Sequence, residues 1–116
     1  MVIVLVEDDV HFQFFIWKLL KGGGFTVLTA GDGQSALEAS RSQDGPIDLL
    51  LTEMDLPRTN GVELCKAVSA ERPGIKVLIM SGDLRARERV MMSGFPFIQK
   101  PFSPAALLES IKETLV

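Results

Sequence analysis

The chain has 116 residues, 47% hydrophobic and 23% charged, enough to bury a core and too apolar for a disordered segment. Its formal net charge of −3 offers no basic surface to nucleic acid or an anionic membrane. A single cysteine excludes an internal disulfide, and no apolar run approaches the roughly 20 residues of a membrane span. With no basic leader before the apolar start, a soluble cytoplasmic protein is expected, with no direct contact to nucleic acid or membrane.

The first predicted element is a strand at Val2–Val6, followed at once by Glu7, Asp8 and Asp9. A helix over Asp9–Lys21, "DVHFQFFIWKLLK", ends in "GGG". Phe12, Phe15, Ile16, Leu19 and Leu20 recur at helical spacing and are expected to face the sheet. Phe14 and Trp17 fall on a flank shared with His11, Gln13, Lys18 and Lys21, which predicts an exposed apolar patch. His11, the only histidine, reads as a solvated helix residue.

A second strand is expected at Phe25–Thr29 and a helix at Gly33–Gln43. The third strand, Ile47–Leu51, runs out through Thr52 to Glu53, Asp55 and Pro57. A helix over Gly61–Glu71 carries Cys65, placed as a small hydrophobe on the core face. The fourth strand, Ile75–Met80, leads to Ser81 and Gly82, and a helix follows at Leu84–Ser93. A fifth strand, Phe95–Gln99, leads to Lys100, and Ser103 before Pro104 caps a last helix over Pro104–Leu115.

Five strands alternating with helices predict an α/β fold, a doubly wound parallel sheet covered on both faces. The nearly continuous Val, Ile and Leu of the first, third and fourth strands agree with double burial. Open sheets of this kind bind ligands at the carboxyl ends of their strands. Glu7, Asp8, Glu53, Ser81 and Lys100 all fall just past those ends and are expected to converge. Carboxylates brought together need a cation or a proton. Oxygen ligands suit Mg²⁺, which usually works beside a phosphoryl group. Ser81 is placed to donate a hydrogen bond to such a group, and Lys100 to neutralise it.

The whole chain resembles the receiver domains of two-component response regulators, the CheY-like domains, and is expected to be one such domain over residues 1–116. "VLVEDD" is similar to the family's acidic pocket, "TEMDLPRTNG" to its acceptor motif, "MSGD" to its hydroxyl-bearing strand end and "KPFSP" to its lysine–proline turn. "IQKPFSPAALLESIKETL" is especially similar to receivers of hybrid sensor histidine kinases. The resemblance implies a five-stranded, flavodoxin-like (βα)5 fold and a signalling domain rather than an enzyme. It implies Mg²⁺ held by Glu7, Asp8, the acceptor side chain and the Asp55 backbone carbonyl. It also implies a cis Lys100–Pro101 bond and a switch pair of Ser81 and Phe97. The readout surface would be the fourth helix, with its Met91 and Met92, the fifth strand and the fifth helix. The implied partner is a sensor histidine kinase or a histidine phosphotransfer protein, docked on the first helix. There Phe14 and Trp17 are expected to anchor that partner or a homodimer.

One position departs from the pattern. The family's phosphoacceptor is aspartate, and here its place holds Glu53. An extra methylene moves the carboxylate by roughly 1.5 Å. A displacement near 1 Å costs on the order of 100-fold in an in-line reaction. A receiver that is poorly phosphorylated, or held in one state by a carboxylate standing in for phosphate, is therefore expected. The rival is a phosphorylation-independent interaction domain with a vestigial pocket. "EMD" also resembles the nucleophile motif of haloacid-dehalogenase-type phosphatases, but Glu53 replaces the nucleophile and no threonine follows in place. A flavin site is excluded by the three acids after the first strand, which would repel the flavin phosphate.

Overall fold

The three most apolar runs become strands buried on both faces. The computed structural model describes residues 1–116. Along the chain β1 (Val2–Val6), α1 (Val10–Gly22), β2 (Thr26–Ala30), α2 (Gly33–Ser42) and β3 (Leu49–Glu53) are followed by α3 (Gly61–Glu71), β4 (Lys76–Ser81), α4 (Leu84–Ser93), β5 (Phe97–Gln99) and α5 (Pro104–Leu115). The strands are all parallel, in the order β2-β1-β3-β4-β5. This is the flavodoxin-like (βα)5 arrangement.

The period of two along each strand divides the core. Ile3, Leu5, Leu49, Leu51, Leu78 and Met80 pack with Ile16 and Leu20 of α1 and with Leu107 and Ile111 of α5. The alternate residues Val4, Val6, Leu50, Val77 and Ile79 pack with Ala36 of α2, with Val62, Leu64, Cys65 and Val68 of α3, and with Ala86 and Val90 of α4. Each fully buried Leu or Ile contributes roughly 1.5–3 kcal/mol, so the sheet is a stiff platform for whatever its edge carries.

Helix starts follow from side-chain chemistry. Asp9, Asp32, Asn60, Asp83 and Ser103 each accept the backbone N–H three residues on, from Phe12, Ser35, Glu63, Ala86 and Ala106. Asp9 is thus a helix cap. At the other end of α4, Gly94 takes φ 81°, a left-handed conformation suited to glycine.

Several expected boundaries move. β3 begins and ends two residues later than predicted, because Thr52 pairs with Val6 and Ile79 and Glu53 pairs with Met80. Glu53 and Ser81 are therefore the last residues of β3 and β4, not residues beyond them. β2 and β4 each begin one residue late, and β5 starts only at Phe97. A short antiparallel pair, Asp55–Leu56 with Thr59–Asn60, was not expected, since two-residue strands leave no periodicity to read. It turns through Pro57 and Arg58, and Arg58 takes φ 65°.

The α1 expectation also needs correction. Ile16 and Leu20 are buried and Leu19 half-buried, but Phe15 is 44% exposed and faces away from the sheet. Phe12 is half-buried at the sheet's carboxyl edge. Trp17 is half-buried as well, packed against the core that α1 and α5 share.

Candidate functional site at the carboxyl edge of the sheet

The parallel register brings the ends of β1, β3, β4 and β5 to one edge. Backbone bonds lock that edge: Glu7 N–H donates to Ala30 O at 3.0 Å, Met54 N–H to Met80 O at 2.8 Å, and Lys100 N–H to Ser81 O at 2.8 Å. Gln13 adds a clamp, its Nε2 donating to the carbonyls of Glu7 (3.0 Å) and Ala30 (3.1 Å). Gly61 admits the closest approach, since a Cβ there would lie 2.6 Å from the Glu53 carbonyl oxygen.

Glu7, Asp8, Asp9, Phe12, Glu53, Asp55 and Lys100 line one pocket of about 340 Å³. Glu7 and Glu53 are buried at 2% and 6% exposure, while Asp8 and Asp55 are exposed. Lys100 reaches between the two buried acids. Its Nζ donates to Glu7 Oε1 at 3.2 Å and to Glu53 Oε2 in a shorter bond. The cation that the clustered acids require is thus supplied by the chain itself.

The electrostatics follow from this arrangement. Burial pushes the Glu7 carboxyl up to about 7, against the pull of Lys100 and with a hydrogen bond to Asp8 and the charge of Glu53 adding to the rise. Burial works against the Lys100 charge, but Glu53 and then Glu7 outweigh it and hold the lysine above its ordinary value.

The donor set suits a hard divalent ion chemically, being all oxygen. Glu7, Asp8 and Glu53 lie around the one pocket, where such an ion would have to share them with the lysine. Lys100 occupies the position between Glu7 and Glu53, and Asp9 is engaged as a cap.

Ser81 departs from the expected convergence. It is fully buried and does not line the acidic pocket. Its Oγ donates to Gln99 Oε1 at 3.1 Å, and Gln99 Nε2 donates to Lys100 O at 3.2 Å. Phe97 is half-buried against the core beneath α2, α3 and α4. The Lys100–Pro101 bond is cis, as the resemblance implied.

On the outer side of α1, Phe14 is 60% exposed, and its ring stacks on Trp17 at 5.8 Å between centroids. With Val10, Gln13 and Thr29 these two rings line a surface groove. Met91 and Met92 stand exposed on α4. No helix is long and apolar enough to cross a membrane.

Gln99 and Gln13 were missed by sequence reasoning, and so was Phe12 as a wall of the pocket. Gln13 had a legible signal, a glutamine on an aromatic-rich helix six residues beyond an acidic strand end. Gln99 had none, because strand-end glutamines carry no motif.

A parallel five-stranded sheet with buried acids and a lysine at its carboxyl edge defines a class, and the comparisons agree. The chain belongs to the response regulator receiver domain family, whose model matches residues 3–112. It is a receiver domain of two-component signalling. Among curated proteins it is 31% identical over 116 residues to the sensor kinase CckA of Brucella abortus (strain 2308), covering 97% of this chain and 12% of that protein. It is 30% identical to the transcriptional regulatory protein CpxR of Escherichia coli (strain K12), covering 97% of this chain and 48% of the other. The chain thus spans half or less of these relatives. Among solved structures it superposes on a CheY-like receiver domain protein from Methanospirillum hungatei JF-1 with TM-score 0.86, 29% identity and coverage of 98% and 92%. The receiver domain of the hybrid histidine kinase CckA superposes with TM-score 0.84, 28% identity and full coverage of both chains.

Proposed function

We propose that this chain, over residues 1–116, is a receiver whose acceptor position holds Glu53 and which is therefore poorly phosphorylated and kept in one signalling state. The observation that carries the reading is the bond from Lys100 to the Glu53 carboxylate, with Glu7 on the same ammonium. A longer acidic side chain reaches the lysine without any phosphoryl group. Glu53 thereby takes up the charge that would otherwise steady an incoming phosphoryl oxygen.

Glu7, Asp8 and Glu53, with the Asp55 carbonyl, are the groups that would hold Mg²⁺. When bound, the ion supplies charge neutralisation for phosphoryl chemistry. The chain's own residues do the rest. Lys100 balances the buried acids, and Gln13 fixes the backbone carrying Glu7. Ser81 and Phe97 are the proposed switch pair, with Ser81 held back by Gln99. Phe14 and Trp17 are the proposed anchor for a sensor histidine kinase, a phosphotransfer protein or a second copy. No catalytic turnover is proposed for the domain, and its place of action is proposed to be the cytoplasm.

A second reading, an interaction domain with a vestigial pocket, is favoured by one observation. Lys100 already compensates Glu7 and Glu53. Calorimetric titration with Mg²⁺ separates the two. Saturable binding that is lost in Asp8→Ala supports the switch, and absence of binding supports the scaffold.

A further inference from the structure

We propose that Phe12 is a positioning residue for Lys100: its ring holds the ammonium on the Glu7–Glu53 pair and so competes with divalent cations for those carboxylates. The competition rests on the metal reading above, whereas the hold on Lys100 does not.

Three groups surround the ammonium. Two are the buried carboxylates, and the third is the Phe12 ring, whose centroid lies 4.3 Å from Nζ. A cation within about 6 Å of an aromatic centroid is attracted by the ring's negative face. The Lys100 side chain keeps only 24% exposure, so the ring replaces hydration that the ammonium has given up.

The ring is also held in place. Its backbone N–H donates to Asp9 Oδ1 at 3.0 Å, which fixes the first turn of α1. Phe102 packs against it at 6.0 Å and 48°, and Phe15 stacks on it at 6.2 Å and 23°. Phe15 thereby acquires a role that burial in the core would not give it, as a brace for Phe12.

The same ring joins two cavities. Phe12, Asp9 and Lys100 are shared between the acidic pocket and a neighbouring one completed by Gly82, Pro101 and Phe102. Without the aromatic face, Lys100 has space on that second side to leave the carboxylates. Leucine would keep apolar bulk but no π face, and tyrosine would keep both.

The test compares native, Phe12→Leu and Phe12→Tyr proteins by nitrogen-edited NMR of the Lys100 ammonium and its exchange with water, then by Mg²⁺ calorimetry. A slowly exchanging, carboxylate-bonded Lys100 ammonium is expected in the native and Tyr proteins and lost in Leu. Mg²⁺ affinity is expected to rise roughly 2- to 5-fold in Leu alone, the range of a partly exposed cation–π contact. Lys100 signals that are alike in all three proteins, or altered equally in Leu and Tyr, would overturn the positioning role. Ring-dependent Lys100 signals with unchanged Mg²⁺ affinity would overturn the competition. Ring-dependent signals with no Mg²⁺ uptake by any protein would uphold the hold on Lys100 and overturn the metal reading instead.

Discussion

Glu53 and Lys100 are joined by a charge-assisted hydrogen bond although they lie 47 residues apart in the chain. The bond ties the end of β3 to the turn after β5, and Glu7 at the end of β1 shares the same ammonium. Removing the lysine leaves two buried acids without a counter-charge. Lys100→Met is therefore expected to destabilise the fold by about 2–4 kcal/mol, the cost of breaking a largely buried pair from one side. Glu53→Gln keeps an acceptor for the ammonium and should cost less. Urea denaturation of the three proteins checks the ranking, and equal midpoints for Lys100→Met and native protein would refute it.

The start of α3 presses on the strand that carries Glu53. A Cβ on Gly61 would meet Glu53 O at 2.6 Å and the Met54 Cα at 3.1 Å, both backbone atoms. Gly61 N–H also donates to Met54 O at 2.7 Å, so the two segments cannot easily part. Gly61→Ala is expected to cost about 1–3 kcal/mol, as overpacking does elsewhere. It should also shift the amide resonances of Glu53 and Met54. A variant with native stability and native shifts would show that the contact yields freely.

At the opposite end of the sheet, one guanidinium ties down the exit of α2. Arg72 donates to Ser40 Oγ and to the carbonyls of Ser40, Gln43 and Gly45, at 2.7–3.1 Å. Those carbonyls end a helix and open a loop, so they lack other helical donors. Arg72→Ala is expected to lower stability by about 1–3 kcal/mol, and Arg72→Lys should rescue little because it lacks the planar fork. Thermal melts of both variants decide it.

Acid should loosen the α2 side before the core. The backbone N–H of Ser35 holds the Asp32 carboxyl below its ordinary value, and Arg41 does the same for Glu71. A depressed folded pKa gives stabilisation that is complete above the unfolded value and is lost as pH falls through the folded one. The loss therefore begins near the ordinary values, 3.8 for Asp32 and 4.5 for Glu71, and continues below them. Glu71 is exposed and Asp32 only half-buried, so the effect is modest. Asp32→Asn retains a capping oxygen without a titrating charge. Its Tm should decline less steeply than native as pH falls through that window, and parallel curves would remove Asp32 from the acid response.

The alternation of strands and helices was legible because doubly covered strands must be continuously apolar, as in "VIVLV" and "VLIM". The meeting of Glu7, Asp8, Glu53 and Lys100 at one pocket followed from the topology alone. What could not be read depended on register and rotamer. Glu53 and Ser81 lie inside the sheet because neighbouring strands extend the pairing to them. Ser81 turns to Gln99, and Lys100 inserts between two acids, through side-chain choices that no spacing encodes. Phe15 satisfied the helical period for the core and nonetheless braces Phe12 outside it.

The central claim is that Glu53, by occupying Lys100, keeps the pocket from accepting a phosphoryl group. Intact mass after incubation with Mg²⁺ and a small-molecule phosphodonor tests it most directly, native protein beside Glu53→Asp. Only the aspartate variant is expected to gain the mass of one phosphoryl group. Equal gain by the native protein would contradict it and would mean that a carboxylate other than an aspartate at position 53 serves as acceptor.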